Sequence, residues 1–337
     1  MIRNLQHSFL GRLTEHLPLS VRLTLGAALQ HSFLLRLTRD LAKGCQQLDP
    51  GRITQHISFI LRFQQPDGGF AGRSGGSDLY YTSFAVRTLA LLNALDIPRC
   101  QNIATYLKNA ATKQQYSLID LVSWFYSLIT VQLAGNLAPL AGDAESFADE
   151  VTASLEAFCR PDGGYAKTHE SGVGSTYHSF LVVLCYEMLG RTVPDAAGIK
   201  RFLLSRRRDD GGFVEIAQMK RSGTNPTAAA AVLLKLFEAL DRDVLDGIEN
   251  YLARVKGGEG GFRANTQIPI CDLLSTFTGL LTAHELSLTA RPDAEACQRY
   301  VEQLELREGG FRGAAWDSEA DPEYTFYGLG SLALLKL

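Results

Sequence analysis

Apolar residues recur every three or four positions in two kinds of segment that alternate along the chain. The first kind is amphipathic. In residues 53–63 Ile53, Ile57 and Ile60 fall on one stripe, with polar residues between them, which is the helical period. The second kind is apolar on most faces: Leu79–Leu95, Leu118–Leu133, Tyr177–Leu189, Thr227–Leu240, Leu273–Leu286 and Tyr324–Leu335. A helix apolar all round must be buried. Each pair therefore predicts a helical hairpin with a half-exposed outer helix and a buried inner one.

A short motif separates the two helices. Asp/Glu-Gly-Gly-Phe/Tyr occurs at Asp67–Phe70, Asp162–Tyr165, Asp210–Phe213, Glu259–Phe262 and Glu308–Phe311. Composition predicts about 0.03 such copies in a chain of this size, so the motif marks an internal repeat. Its first glycines fall at 68, 163, 211, 260 and 309. The first step is close to twice the others, so one copy near Tyr116 has lost its glycines and the repeats number six. Glycine there accepts positive φ and is expected to end the outer helix as its C-cap.

Six hairpins of about 48 residues can stack as an open array or close into a ring. The last unit, Gly328 onward, stays apolar to Leu337. An open array needs polar ends, so ring closure is favoured. The expected fold is all-α: an α/α toroid of twelve helices over residues 51–337, as six inner and six outer. Residues 1–50 precede it as a helical extension, with Ile2, Leu5, Phe9, Leu10, Leu13 and Leu17 on one stripe.

Charge changes this picture only at the N-terminus. The formal net charge is −3. Nothing in it asks for nucleic acid. Residues 1–43 hold six Lys/Arg and two Asp/Glu, a net +4. A basic amphipathic extension suits peripheral membrane contact or a partner, while packing on the outer wall of the ring is the plainer expectation. No clean apolar run of eighteen residues or signal-peptide pattern is present, and the six cysteines lack paired spacing. A cytoplasmic protein with reduced thiols is expected.

Parallel inner helices would aim six N-termini at one mouth, where an anion is welcome. A hydroxyl column runs along the inner helix starts: Ser83, Ser123, Ser179, Thr227, Ser275 and Thr325. Around it Tyr80, Tyr81, Trp124, Tyr177, Phe180, Phe277, Tyr324 and Phe326 are the expected lining of an aromatic lumen. Lys220, Arg221 and Arg73 are the cations placed to reach an anionic head. Asp272, Tyr324 and His178 are the candidate catalytic groups, with Asp120 and Asp321 beside them as acids or helix N-caps.

Asp67-Gly-Gly-Phe-Ala-Gly-Arg73 and Ser77–Leu92 resemble the β subunits of protein prenyltransferases, most closely the geranylgeranyl type, as does Asp321–Leu335. The glycine turns also resemble those of the squalene and terpene cyclases. The resemblance spans residues 50–337. It implies an isoprenoid diphosphate as ligand, isoprenyl transfer to a thiol, an α-type partner subunit or self-association in its place, and a zinc ion held by Asp-x-Cys and His. Registered on Ser275 and Thr325, those three positions are Cys271, Leu273 and Tyr324. All three ligands are replaced, so no metal is expected. The Asp-x-Asp-Asp acid of the cyclases is missing, and Asp209-Asp210 reads as turn chemistry. A terpene cyclase without that acid and a non-catalytic lipid-binding or scaffold ring are the other two readings.

Overall fold

The computed structural model describes residues 32–110, 116–137 and 144–337. The stripe in residues 2–17 and the turn just before Tyr116 lie outside them. Thirteen helices are described. Helix α1 is Phe33–Cys45. The outer helices are α2 (Pro50–Leu61), α4 (Ile97–Ala110), α6 (Ala144–Glu156), α8 (Ala196–Ser205), α10 (Arg242–Val255) and α12 (Ala294–Gln303). The inner helices are α3 (Leu79–Leu91), α5 (Leu118–Gly135), α7 (Thr176–Met188), α9 (Thr224–Leu236), α11 (Leu273–Glu285) and α13 (Pro322–Leu334).

Each inner helix packs on the next, and α13 packs back on α3. The ring is closed, as the apolar last repeat requires. Helix α5 is long and apolar enough to cross a bilayer by length and composition, but 61% of it is buried as an inner helix between α3 and α7. Single polar residues interrupt its apolar run without shortening the helix.

The Gly-Gly turns do not cap the outer helices. Helix α2 ends at Leu61, well before Gly68, and the same gap recurs in the other described repeats. Between the helices the chain makes a small antiparallel element. Phe70 bridges Gln64 on one side and Asp78 on the other, and Tyr165 and Phe213 are placed likewise. In the last repeat this becomes a two-residue ladder, β1 (Phe311–Arg312) with β2 (Ala320–Asp321). The first glycine of each copy has positive φ. It lies against the outer helix of the following repeat. A Cβ on Gly163 would come 2.7 Å from the Gly198 carbonyl oxygen, and one on Gly309 would come 2.6 Å from that of Gln55. Gly309 thus docks the last repeat on the first outer helix. At this seam Arg52 pairs with Glu302 and Glu305, and the Gly310 N–H donates to His56 Nδ1 at 3.0 Å. That acceptor role puts the His56 proton on Nε2, which lies 3.0 Å from Glu305 Oε1.

The hydroxyl column is present in part and faces the turns. The backbone N–H of the motif aromatic donates to a hydroxyl in the second turn of the inner helix: Tyr165 to Ser179, Phe213 to Thr227 and Phe311 to Thr325. In two repeats the hydroxyl is one residue away from the expected one, Thr82 instead of Ser83 and Thr276 instead of Ser275. The column therefore points outward at the turns and holds them to the inner ring. Thr227 Oγ1 accepts from Phe213 N at 2.9 Å and donates to the Gly223 carbonyl at 2.7 Å. Thr227→Val keeps the shape and orphans a buried N–H, so unfolding titrations should show a loss of about 1–3 kcal/mol. A loss under about 0.5 kcal/mol would mean that the hydroxyl does not hold the turn.

Helix α1 corrects the expected outer-wall position. It packs against the neighbours α13 and α3 and against α7, which lies across the ring from α13. Its stripe of Phe33, Leu37, Leu41 and Cys45 is buried. It runs across the C-terminal ends of the inner helices: Glu187 of α7 accepts from the Phe33 N–H, Arg36 pairs with Glu285 of α11 at 3.1 Å, and Gly44 lies against Ala333 of α13. Helix α1 is the floor of the ring, and residues 33–43 are not a free membrane-binding face.

Candidate functional site: a floored aromatic cavity

Between the N-terminal rim of the inner helices and the α1 floor lies a cavity of about 110 Å³. Phe33, Leu34, Leu37, Thr38 and Leu41 form its base. Its wall takes Arg87 and Leu91 from α3, Val122 and Tyr126 from α5, and Tyr177, Phe180 and Leu184 from α7. Ala228, Ala229 and Val232 come from α9, Leu274, Phe277 and Leu281 from α11, and Phe326 and Tyr327 from α13. The width comes from α9, whose alanines leave room that larger residues fill elsewhere. Rings of Phe84, Phe277, Phe326 and Tyr327 contact one another along one side, with centroids 5.4–5.7 Å apart.

The predicted lining divides. Tyr177, Phe180, Phe277 and Phe326 line this cavity. Tyr80 stands at the rim, its hydroxyl donating to Glu323 Oε1 at 2.6 Å. The Tyr81 ring lies against Gly72 in the loop above. The Tyr324 ring lies under Arg73, 5.6 Å away. Trp124 turns outward instead: it contacts Phe147 of α6 and donates its indole N–H to the Leu107 carbonyl of α4 at 2.9 Å. On a helix buried all round, periodicity cannot separate the lumen side from the outer-helix side. Lys220 and Arg221 are exposed on the loop before α9. Arg73 is committed to Asp317 (2.6 Å) and Asp321 (2.7 Å).

The mouth is not the open anion site that six bare N-termini would make. Asp78, Ser117, Ser175, Asp272 and Asp321 cap five of the inner helices, each accepting a first-turn N–H. Asp120 completes a capping box with Ser117. All five caps satisfy free N–H groups, and the three aspartates among them also offset the helix dipoles. Burial raises the Asp272 carboxyl above its ordinary value, against the pull of its hydrogen bonds from Ser275. Burial also raises Glu323, against the hydrogen bond from Tyr80. Burial pushes the Tyr324 hydroxyl up to about 12, with Glu323 and Asp321 adding to the rise. His178 is buried, with Nδ1 2.6 Å from Ser175 Oγ.

The residues present do not fit the zinc site that the resemblance implies. Counted from the observed hydroxyl, Thr276, the Asp-x-Cys positions become Asp272 and Leu274, not Cys271 and Leu273. Leu274 has no donor atom, and Asp272 is occupied as a cap. Burial pushes the Cys271 thiol up to about 12, and Glu259 beside it adds to the rise. Among the described residues no three of His, Cys, Asp and Glu gather as metal ligands.

Sequence reasoning missed Arg87, the cation that reaches into the cavity. Its signal was present: a charge in the third turn of a helix otherwise apolar on every face.

The chain belongs to the prenyltransferase alpha-alpha toroid domain family, whose model matches residues 3–120 and 218–337. Among curated protein sequences none matches it. Its fold is similar to that of Candida albicans protein geranylgeranyltransferase-I complexed with GGPP, at 16% identity and a TM-score of 0.65, covering 84% of this chain and 90% of that one. It is also similar to a variant of the type II terpene cyclase MstE from Scytonema in complex with geranylgeranyl dihydroxybenzoate. There the identity is 14% and the TM-score 0.59, over 89% of this chain and 98% of that one. A glycosidase shares the fold at 13% identity and a TM-score of 0.52, over 86% of this chain and 98% of that one. The fold is thus common to several chemistries, and function must be argued from the site.

Proposed function

We propose that this protein binds an isoprenoid diphosphate with its tail in the floored cavity, and transfers the isoprenyl group to a thiol acceptor with release of diphosphate, without the zinc ligands that the resemblance implies. The observation that carries this reading is the cavity itself: a slot walled by aromatic and aliphatic side chains, with α1 as its base. Apolar walls favour a hydrocarbon tail by the area they remove from water, and aromatic faces suit its double bonds. The Candida enzyme is complexed with GGPP in the same fold, which supports the class of ligand.

The test is to incubate the full chain with labelled geranylgeranyl or farnesyl diphosphate, with and without a thiol acceptor peptide, and to separate bound from free label. Retention near one ligand per chain is expected, with label passing to the acceptor. Retention without transfer would reduce the reading to a lipid-binding ring. No retention of either diphosphate would remove it.

A further inference from the structure

Among the described residues Arg87 is a charge without a counter-charge. Its guanidinium carbon lies 4.4 Å from the Tyr126 ring centroid, 5.2 Å from that of Phe84 and 5.9 Å from that of Phe326. Its Nε is buried with no hydrogen-bond partner. The carboxylates around the lumen are engaged elsewhere. Glu323 accepts from Tyr80, Asp321 pairs with Arg73, and Glu215 accepts from Ser175. Glu285 pairs with Arg36 and Lys235, and Glu187 holds the first turn of α1. A guanidinium keeps its charge at any ordinary pH. Aromatic faces stabilise it but leave its N–H donors unused. Arg87 is half-buried, and its buried Nε is left without the hydrogen bond that would offset its loss of water, so the missing partner is the notable feature.

We infer that Arg87 anchors the anionic group of the cavity's ligand, inside the ring and not at its rim. This rests on the lipid-binding reading above and adds where the head lies and what holds it. The planar fork of N–H groups suits a carboxylate or a phosphate, two oxygens at a time. The rim cations are poor substitutes: Lys220 and Arg221 are exposed to water and salt, and Arg73 is neutralised by two aspartates.

The test compares amphiphiles with one tail and different heads: geranylgeraniol, its monophosphate and geranylgeranoic acid. Affinities are measured on wild type, Arg87→Met, Arg87→Lys and Lys220→Gln/Arg221→Gln. Methionine keeps the stem against the rings and removes the charge. Wild type should bind the anions about 10- to 100-fold more tightly than the alcohol, the range of charge-assisted hydrogen bonds. Arg87→Met should lose that preference while binding the alcohol within about twofold of wild type. The rim double variant should keep it in full, and Arg87→Lys should keep part of it, because lysine retains the charge and loses the fork. Whichever anion binds more tightly identifies the head as phosphate or carboxylate. An anion preference that survives in Arg87→Met, or vanishes in the rim variant, overturns the inference and leaves the lipid cavity standing. Equal binding of alcohol and anions by wild type does the same. If no amphiphile binds wild type, the lipid-binding reading falls and takes this one with it. Should Arg87→Met fail to fold by circular dichroism, the wild-type preference and its partial loss in Arg87→Lys decide the matter, and an undiminished preference in Arg87→Lys overturns the inference.

Discussion

Gly309→Ala should lower the melting temperature by about 10 °C, far more than a glycine-to-alanine change at another residue of the same backbone shape. Gly309 has a φ of +93°, where an L side chain is strained, at a cost of order 1–3 kcal/mol. In addition its new Cβ would meet the Gln55 carbonyl oxygen at 2.6 Å and the Gln55 carbonyl carbon at 2.8 Å. Both are backbone atoms of α2, so relief means moving a helix. Overpacking of this kind costs a further 1–3 kcal/mol or so, and each kcal/mol is worth about 2–4 °C in a domain of this order of size. Gly75 is the control. Its φ is +86°, yet nothing lies within 4 Å of its Cβ position. Gly75→Ala carries the strain without the collision. Scanning calorimetry of the two variants separates the terms, and hydrogen exchange should show faster exchange in α2 and α12 for Gly309→Ala alone. Equal melting temperatures would show that the seam between residues 309 and 55 adds nothing to ring closure.

Ala229→Phe should abolish lipid binding, with a fall in affinity of more than about tenfold, and leave the ring folded. Ala229 lines the cavity on the helix that gives it width. A phenyl group there occupies the space a tail would take, and cavity-directed volume strains the fold little. Its neighbour Ala230 is wholly buried and does not line the cavity. Ala230→Val should act in reverse, destabilising by about 1–3 kcal/mol with ligand affinity retained. The pair is read by ligand titration and thermal melts on the same samples. An Ala229→Phe chain that still binds geranylgeranyl diphosphate as wild type does would place the ligand elsewhere.

The repeat was legible because its chemistry is local. Two adjacent glycines, an acid before them and an aromatic after them make one turn from one short segment. The motif reveals its own period, and an apolar final helix demands closure. The turn's purpose was not legible. The glycines were expected to end α2, but they serve a contact with a helix one repeat away, which no local pattern reports. The hydroxyl column shows the same limit. Ser179, Thr227 and Thr325 bond the turns, but beside Ser83 and Ser275 a neighbouring threonine makes the bond instead. A one-residue choice between adjacent hydroxyls depends on the rotation of the helix, and an inner helix that is apolar on every face carries almost no record of that rotation. Trp124 was assigned to the lumen for the same reason and packs outward on Phe147 and Leu107.

Helix propensity, turn chemistry and apolar periodicity act between residues close in the chain, so the amino-acid order alone defines this protein as a ring of six helical hairpins. The ligand site depends on which side chains converge across the ring, and that is a property of packing. Helix α1 is the clearest case. Its stripe of Phe33, Leu37 and Leu41 would suit a membrane, an outer wall or a lumen equally well. It lies across the floor of the ring because Glu187 and Glu285 meet it there and its own Gly44 lets it approach Ala333 of α13. The open anion mouth was lost in the same way, as acidic caps satisfied the helix ends. What remained was one uncompensated guanidinium in the cavity, and its lack of a partner became visible only once every described carboxylate around the lumen was placed.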